Sequence, residues 1–256
     1  MNSAMNNPSE NPKVSIITVV FNARSTLERT IQSVRSLDYS HVEYLVVDGG
    51  STDGTLDIIR RYEAHINAWI SEPDKGLYDA MNKGLNMATG DYVWFLNAGD
   101  EVAAPQVLTR LFEQRPGADI YYGDTMIVDL EGKEIGHRRL SPPRSLTWKD
   151  FHRGMLVSHQ SILVARSLAT PYDLRYRFSA DYDWVLSALR RARVVVNGEM
   201  VLSRFLDGGL TKKNILPGLK ERFKIMKKNF GLLATFFHHI PITCRFLRYL
   251  LIHRRF

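Results

Sequence analysis

Two acidic turns, each closing an apolar run, carry the side chains best suited to chemistry. One is VVDGGSTDGT from Val46 to Thr55, and the other is LNAGDE from Leu96 to Glu101. Carboxylates beside tight glycine turns at strand ends meet where strand-to-helix loops converge, the crevice in which open α/β sheets hold ligands. Asp48, at the end of its run, suits a base N–H or a ribose hydroxyl, because an ionised acceptor makes the stronger hydrogen bond. Gly49, Gly50 and Gly54 permit the turn and a close ligand approach. Asp53, just ahead of a helix, reads as a cap. After the first strand stands FNARST, so the dinucleotide pattern G-x-G-x-x-G is missing there, and so is the P-loop pattern. A diphosphate would then be neutralised by a divalent cation held by few carboxylates, with Asp100 as the anchor and Glu101 beside it.

The elements that must position these groups follow from periodicity. Strands are expected over Val14–Phe21, Val42–Val47, Ala68–Ser71, Tyr92–Leu96, Ile120–Val128, Glu134–Arg139 and Ser161–Val164, with short ones over Val194–Val196 and Val201–Phe205. Ser25 and Glu28 have capping-box spacing for a helix through Arg35. Further helices are expected over Thr55–Tyr62, Leu77–Ala88, Pro105–Gln114 and Ala180–Arg191. Alternating strands and helices up to Leu96 imply parallel βαβ units, and the later strands turn the sheet mixed. The fold class is α/β: a Rossmann-like, mostly parallel mixed sheet flanked by helices, followed by C-terminal amphipathic helices.

Charge divides the chain of 256 residues. From Asn214 to Phe256 nine Lys or Arg face one acid, Glu221, a net of +8, which leaves the preceding residues at −1 within the overall +7. A near-neutral body argues against nucleic acid as a partner. Basic helices interleaved with Leu219, Phe223, Met226, Leu232, Phe236, Phe237, Phe246, Leu247, Leu250 and Leu251 suit an anionic membrane surface. The expected organisation is a flexible N-terminal tail over residues 1–12, a catalytic domain over 13–213, and a basic, membrane-associated helical tail over 214–256. No run of 18 apolar residues occurs, the polar start does not read as a signal peptide, and one cysteine, Cys244, fits a reducing compartment. The expected location is the cytoplasm, peripheral on the inner face of the cell membrane.

Four stretches taken together resemble the family 2 glycosyltransferases: VSIITVVFNA, VVDGGSTDGT, EPDKGLYDAMNKGLNMATGDYVWFLNAGD and HQSIL…YDLRYRFSADYDW, within Val14 to Thr211. The resemblance implies a GT-A fold and inverting transfer of one sugar from a nucleotide-diphosphate-sugar. The acceptor it implies is a hydroxyl of a lipid-linked saccharide, in cell-surface polysaccharide or glycolipid synthesis of, for example, the colanic-acid type. It places donor contacts on Thr18, Val20, Asn22 and Asp48, on Asp74, Lys75, Gly76, Asp79 and Asn82, and on Asn97 and Ala98. The D-x-D metal motif of the family falls on Asn97-Ala98-Gly99, a departure that leaves Asp100 as the main protein ligand for Mn²⁺ or Mg²⁺. Asp181 takes the place of the catalytic base. Asp183 is two residues on, where a helix turns its side chain away. His159, Asp183, Trp184 and Lys212 are placed near the acceptor or the diphosphate, and for His159 a structural role is equally consistent. The Q-x-x-R-W pattern of processive synthases is missing, which favours single transfer. Two other classes stay open at this level: a nucleotide-sugar-binding or glycan-binding module without turnover, and a peripheral membrane scaffold.

Overall fold

Residues 11–208 and 214–240 are described in the computed structural model of the chain. The expected tail before residue 11, the segment 209–213 with Lys212, and everything beyond 240, Cys244 included, lie outside the described residues.

Strand β1 (Val14–Val20) is buried along its whole length. It is covered on both faces, as a parallel central strand must be. Its alternation sorts the core: Ile17 and Val19 join one apolar cluster with α3 (Leu77–Met87) and α5 (Ala180–Arg191), while Ile16 and Val20 join another with α1 (Leu27–Arg35) and α4 (Val107–Gln114). β2 (Val42–Asp48), β3 (Ala68–Ser71) and β4 (Tyr92–Phe95) complete a parallel half in the order β3-β2-β1-β4. The order then continues through β8 (Ile162–Ala165), β6 (Ile120–Val128), β9 (Val195–Leu206) and β5 (Glu101–Val102). β8 is antiparallel to both β4 and β6, and β7 (Glu134–His137) pairs with β6 off this path. The short α2 (Thr55–Arg61) follows the glycine turn after β2.

The register fixes the functional edge. Val20 pairs with Asp48, and Ala98 N–H donates to the Val19 carbonyl at 3.1 Å. The C-terminal ends of β1, β2 and β4 therefore lie side by side, and the two acidic turns share one rim.

Three expectations are corrected, and one strand is new. The Ser25–Glu28 capping box does not form: Thr26 is the N-cap without a side-chain cap bond, and Glu28 instead accepts the Tyr62 hydroxyl at 2.7 Å. The two short strands near 195 and 201 are one strand, bulged where its register against β6 jumps between Tyr122 and Asp124, with Glu199 at φ 50°. The two-residue β5 was not expected. Finally, the helix beginning the basic tail, α6 (Ile215–Phe230), is not a separate arm. Its Ile225 and Met226 are buried in the main core beside α5. Glu221 accepts the Arg177 and Phe178 amides, each at 2.8 Å, and Arg190 donates to Asn229 at 2.8 Å. The apolar face of α6, expected to meet a membrane surface, therefore packs in part on the domain.

Candidate active site

At the β2 end, Asp48 is fully buried and its two oxygens differ. Oδ2 accepts the Ser71 hydroxyl at 2.7 Å and the amides of Gly50 and Ser51 at 3.1 and 3.0 Å. Oδ1 is buried with no partner. An unpaired buried acceptor costs about 1–3 kcal/mol, more when charged, so a ligand N–H at that atom would recover a large term. Gly49 carries no side chain, and a Cβ there would fall on the Asp74 carboxylate and 3.3 Å from the Phe21 ring. The glycine thus lets a second carboxylate and an exposed aromatic, Phe21, gather around Asp48. Phe21 escaped the sequence reading because it closes a core strand and looks like core.

The loop contacts set by resemblance divide by what their atoms already hold. Thr18 is wholly buried and its hydroxyl accepts from Tyr44 at 3.1 Å, and Val20 packs in the core, so their side chains are taken up by packing. Asn22 is exposed in a left-handed turn and its Oδ1 accepts the Thr52 amide at 2.9 Å, bracing the two loops. Asp74 accepts Gly76 N–H at 2.7 Å, and Asp79 accepts Lys75 N–H at 2.9 Å, which closes the start of α3. Lys75 itself is exposed, with no partner for its ammonium among the described residues. Asn82 spends both ends of its amide on the backbone of Tyr172, at 3.0 and 2.7 Å, and is a strut between α3 and the loop before α5. Asp79 and Asn82 act by holding this loop in place.

At the β4 end, Asn97 and Ala98 are partly exposed while Asp100 is buried. Asp100 Oδ1 accepts the Leu206 amide at 3.2 Å. Burial pushes its carboxyl up to about 7, against hydrogen bonds from Leu206, Gln160 and Asn97 that pull it down. Glu101 is turned to Arg29 at 3.1 Å and Arg204 at 3.7 Å, which removes it from the rim. Gly99 stands at the second carboxylate of the expected metal motif, and a Cβ there would meet Leu206 Cδ2 at 2.7 Å. Among the described residues no three His, Cys, Asp or Glu side chains gather to hold a metal. What the rim does offer is Asp100 and a buried amide oxygen without a partner, Asn97 Oδ1. That set fits a cation carried mainly by diphosphate oxygens and water, and not one caged by protein.

Asp181 opens α5 and is partly exposed. Its Oδ1 accepts the Tyr78 hydroxyl at 3.0 Å and the Tyr182 amide at 2.9 Å, while Oδ2 makes no hydrogen bond among the described residues. Burial, then the charge of Asp181, raises the Tyr78 phenol well above its ordinary value, so Tyr78 remains a donor. This contact spans 103 positions in the chain, and no sequence signal marks it. Tyr78 lies two residues past Gly76, and His159, which feels the Asp181 charge, is followed by Gln160, which holds Asp100. These links tie the base position both to the donor loop and to the β4 end.

The remaining assignments are corrected or narrowed. His159 is buried, with its Nε2 bonded to the Tyr172 hydroxyl at 2.5 Å, and burial lowers its pKa to about 4. A neutral, enclosed ring does not neutralise phosphate. Trp184 is stacked on Tyr172 at 5.2 Å and edge-on to Phe95 and His159, with Nε1 donating to the Thr170 carbonyl. It has no free face for a sugar. Asp183 faces Lys228 at 3.6 Å and ties α5 to α6.

A protein-family model described as "Glycosyl transferase family 2" matches residues 15–168. A PGL/p-HBAD biosynthesis glycosyltransferase of Mycobacterium bovis is 34% identical over 183 residues, covering 68% of each chain. Among solved structures, S. aureus TarS 1–349 in complex with UDP-GlcNAc superimposes with a TM-score of 0.67 at 16% identity, over 84% of this chain and 64% of that one. The mannosyltransferase PcManGT of Pyrobaculum calidifontis, in complex with GDP-Man and Mn²⁺, gives 0.62 at 16% identity over 96% of this chain and 77% of that one. At such identities the likeness carries the fold, which is GT-A.

Proposed function

From the premise that the chain belongs to glycosyl transferase family 2 and is a glycosyltransferase, we propose that it inverts the donor's anomeric centre and serves a lipid-linked acceptor. The donor is a nucleotide-diphosphate-sugar and the product belongs to cell-surface polysaccharide or glycolipid synthesis. The observation that carries this reading is the state of Asp181: one carboxylate oxygen held by Tyr78 and Tyr182, the other open.

Asp48 Oδ1 accepts a base N–H, Phe21 lies against the base, and Asp74 receives a ribose hydroxyl. The exposed Lys75 ammonium approaches the diphosphate. Asn97 and Asp100 would hold a divalent cation on the diphosphate, supplying charge neutralisation of the leaving group. Asp181 Oδ2 takes the proton of the acceptor hydroxyl as that oxygen attacks the anomeric carbon. The bond from that carbon to the diphosphate oxygen breaks on the opposite face, and the nucleoside diphosphate departs with the electron pair. A positioned base of this kind contributes roughly 10²–10⁴ in rate, and fixing both reactants in one cleft adds to it.

The enzyme works at the inner face of the membrane. Leu232, Leu233, Phe236, Phe237 and Ile240 are all exposed on the helical segment 232–240, next to the lysines of α6. An apolar row beside cations suits the headgroup interface. No helix among the described residues is long and apolar enough to cross a membrane.

The test is a thermal-shift screen of UDP-, GDP- and dTDP-sugars with and without Mn²⁺, followed by proton NMR of the product. One sugar nucleotide should raise the melting temperature, more so with Mn²⁺, because a ligand selective for the native state stabilises it. The product should carry the opposite anomeric configuration to the donor. A product of retained configuration would end the reading.

A further inference from the structure

A second cluster of side chains is not used by the reaction above. A cavity of about 80 Å³ opens between α5 and α6, lined by Arg139, Arg153, Arg222 and His239 together with Tyr182, Leu219 and Met226. No acidic residue lines it. None of the three guanidinium groups makes a hydrogen bond or ion pair among the described residues; Arg222 only lies 5.8 Å from the centre of the Tyr182 ring. Arg139 and Arg153 are exposed and Arg222 is half-buried, so three cations face one small space, and Asp150, whose carboxyl Arg153 helps hold low, lies near enough to feel one of them. Arginine forks match phosphate oxygens in shape as well as charge.

Position narrows the ligand. Tyr182, which lines the cavity, follows the base Asp181 at the start of α5, and Arg138, next to the lining Arg139, feels the charge of both Asp181 and Arg222. The donor's diphosphate has its own place at Asn97 and Asp100, tied to β9 and Gln160. The other wall of the cavity comes from α6 and from His239 in the segment 232–240, whose exposed Leu232, Leu233, Phe236 and Phe237 form the apolar row. His239 Nδ1 bonds the Thr235 carbonyl at 2.9 Å, which leaves Nε2 for a ligand. Three cations, an apolar lining from Leu140, Leu219 and Met226, and His239 on the segment that also carries the apolar row describe a phosphate ester bearing a hydrocarbon tail.

The geometry points to an acceptor subsite: the Arg139–Arg153–Arg222 cavity binds the phosphate or diphosphate that joins the acceptor to its lipid. It rests on the reading of the acceptor as lipid-linked. Held there, the phosphate anchors the acceptor while its sugar end reaches Asp181, and the tail leaves along the segment 232–240. The subsite thus selects acceptors that carry a charged lipid linkage over free saccharides.

Calorimetric titration of the full chain with farnesyl diphosphate, inorganic pyrophosphate, UDP and GDP tests this. Farnesyl diphosphate should bind at least tenfold more tightly than pyrophosphate. Arg153→Gln with Arg222→Gln should weaken it at least tenfold, leaving the affinity for whichever nucleotide binds within twofold. Arg139→Gln, at an exposed position, should weaken it about threefold and guards against a folding defect in the double variant, as does Arg222→Lys, which should restore part of the loss. Unchanged farnesyl diphosphate binding in the double variant would overturn the assignment. So would displacement of that ligand by the nucleotide, which would make the cavity the donor's own diphosphate site. Equal binding of pyrophosphate would overturn the lipid part, leaving a bare anion site. Failure of every nucleotide and sugar nucleotide to bind the wild type would instead strike the transferase reading above, whatever the arginines do.

Discussion

The strand edge and the α5–α6 side of the cleft are incomplete in opposite senses. At the edge, buried oxygens lack donors: Asp48 Oδ1 and Asn97 Oδ1. Between α5 and α6, cations lack acceptors: Arg139, Arg153 and Arg222. The unpaired buried acceptors cost free energy in the free protein, while like charges brought together at the half-exposed arginine side repel one another at a smaller, solvent-screened cost. The edge is built from neighbouring strand ends and short loops, and backbone amides on Oδ2 fix the Asp48 carboxylate so that its Oδ1 is held in place. The other side is assembled by side chains from segments scattered between Arg139 and His239. The first suits recognition of a planar base with a fixed N–H. The second suits a charge whose surroundings vary. Between them stands Asp181, half bound and half open.

That contrast can be broken at defined points. The largest effect belongs to the centre: Asp181→Asn should lower kcat by about 10²–10⁴ in steady-state assays while donor affinity stays unchanged. Next comes the edge. Asp48→Asn replaces the free acceptor by an amide that can present N–H to N–H, and donor affinity by calorimetry should fall at least tenfold, consistent with about 1.5–3 kcal/mol for a charged hydrogen bond. At saturating donor its kcat should stay near wild type. Tyr78→Phe removes a donor to the charged form of Asp181, so kcat should drop about tenfold, the worth of a hydrogen bond to a charged group.

The smallest effect is on stability. Burial holds His159 near pKa 4, below its ordinary 6.5. The unfolded chain therefore takes up the proton first as pH falls. The stabilisation from the neutral ring is whole above 6.5 and is lost as pH drops towards 4. Melting curves of His159→Gln should show a flatter dependence on pH across that window than the wild type.

Much of the edge was legible in the sequence because its parts are local. A run rich in Val and Ile announces β1, and the glycine turn after Asp48 announces a loop that can meet a ligand. The roles within the loops were less legible. Val20 and Thr18 stand one and three positions before Phe21, the first exposed residue, and cover on both faces of the strand turns them into core. Asn82 and Asp79 are polar residues on a promising segment, yet their atoms satisfy the backbone. The α5–α6 side was almost invisible. Tyr78 and Asp181 meet across 103 positions, and the arginines of the cavity come from segments with no shared motif. The basic tail carried a true signal, amphipathicity, but the sequence does not say whether an apolar face meets lipid or a neighbouring helix. For α6 it meets α5.

The most direct test is a crystal structure of Asp181→Asn with an intact nucleotide-sugar. The base should place an N–H on Asp48 Oδ1, and the side chain at 181 should lie across the anomeric carbon from the diphosphate. A base bound away from Asp48, or a side chain at 181 on the diphosphate's own side of the sugar, would contradict the account.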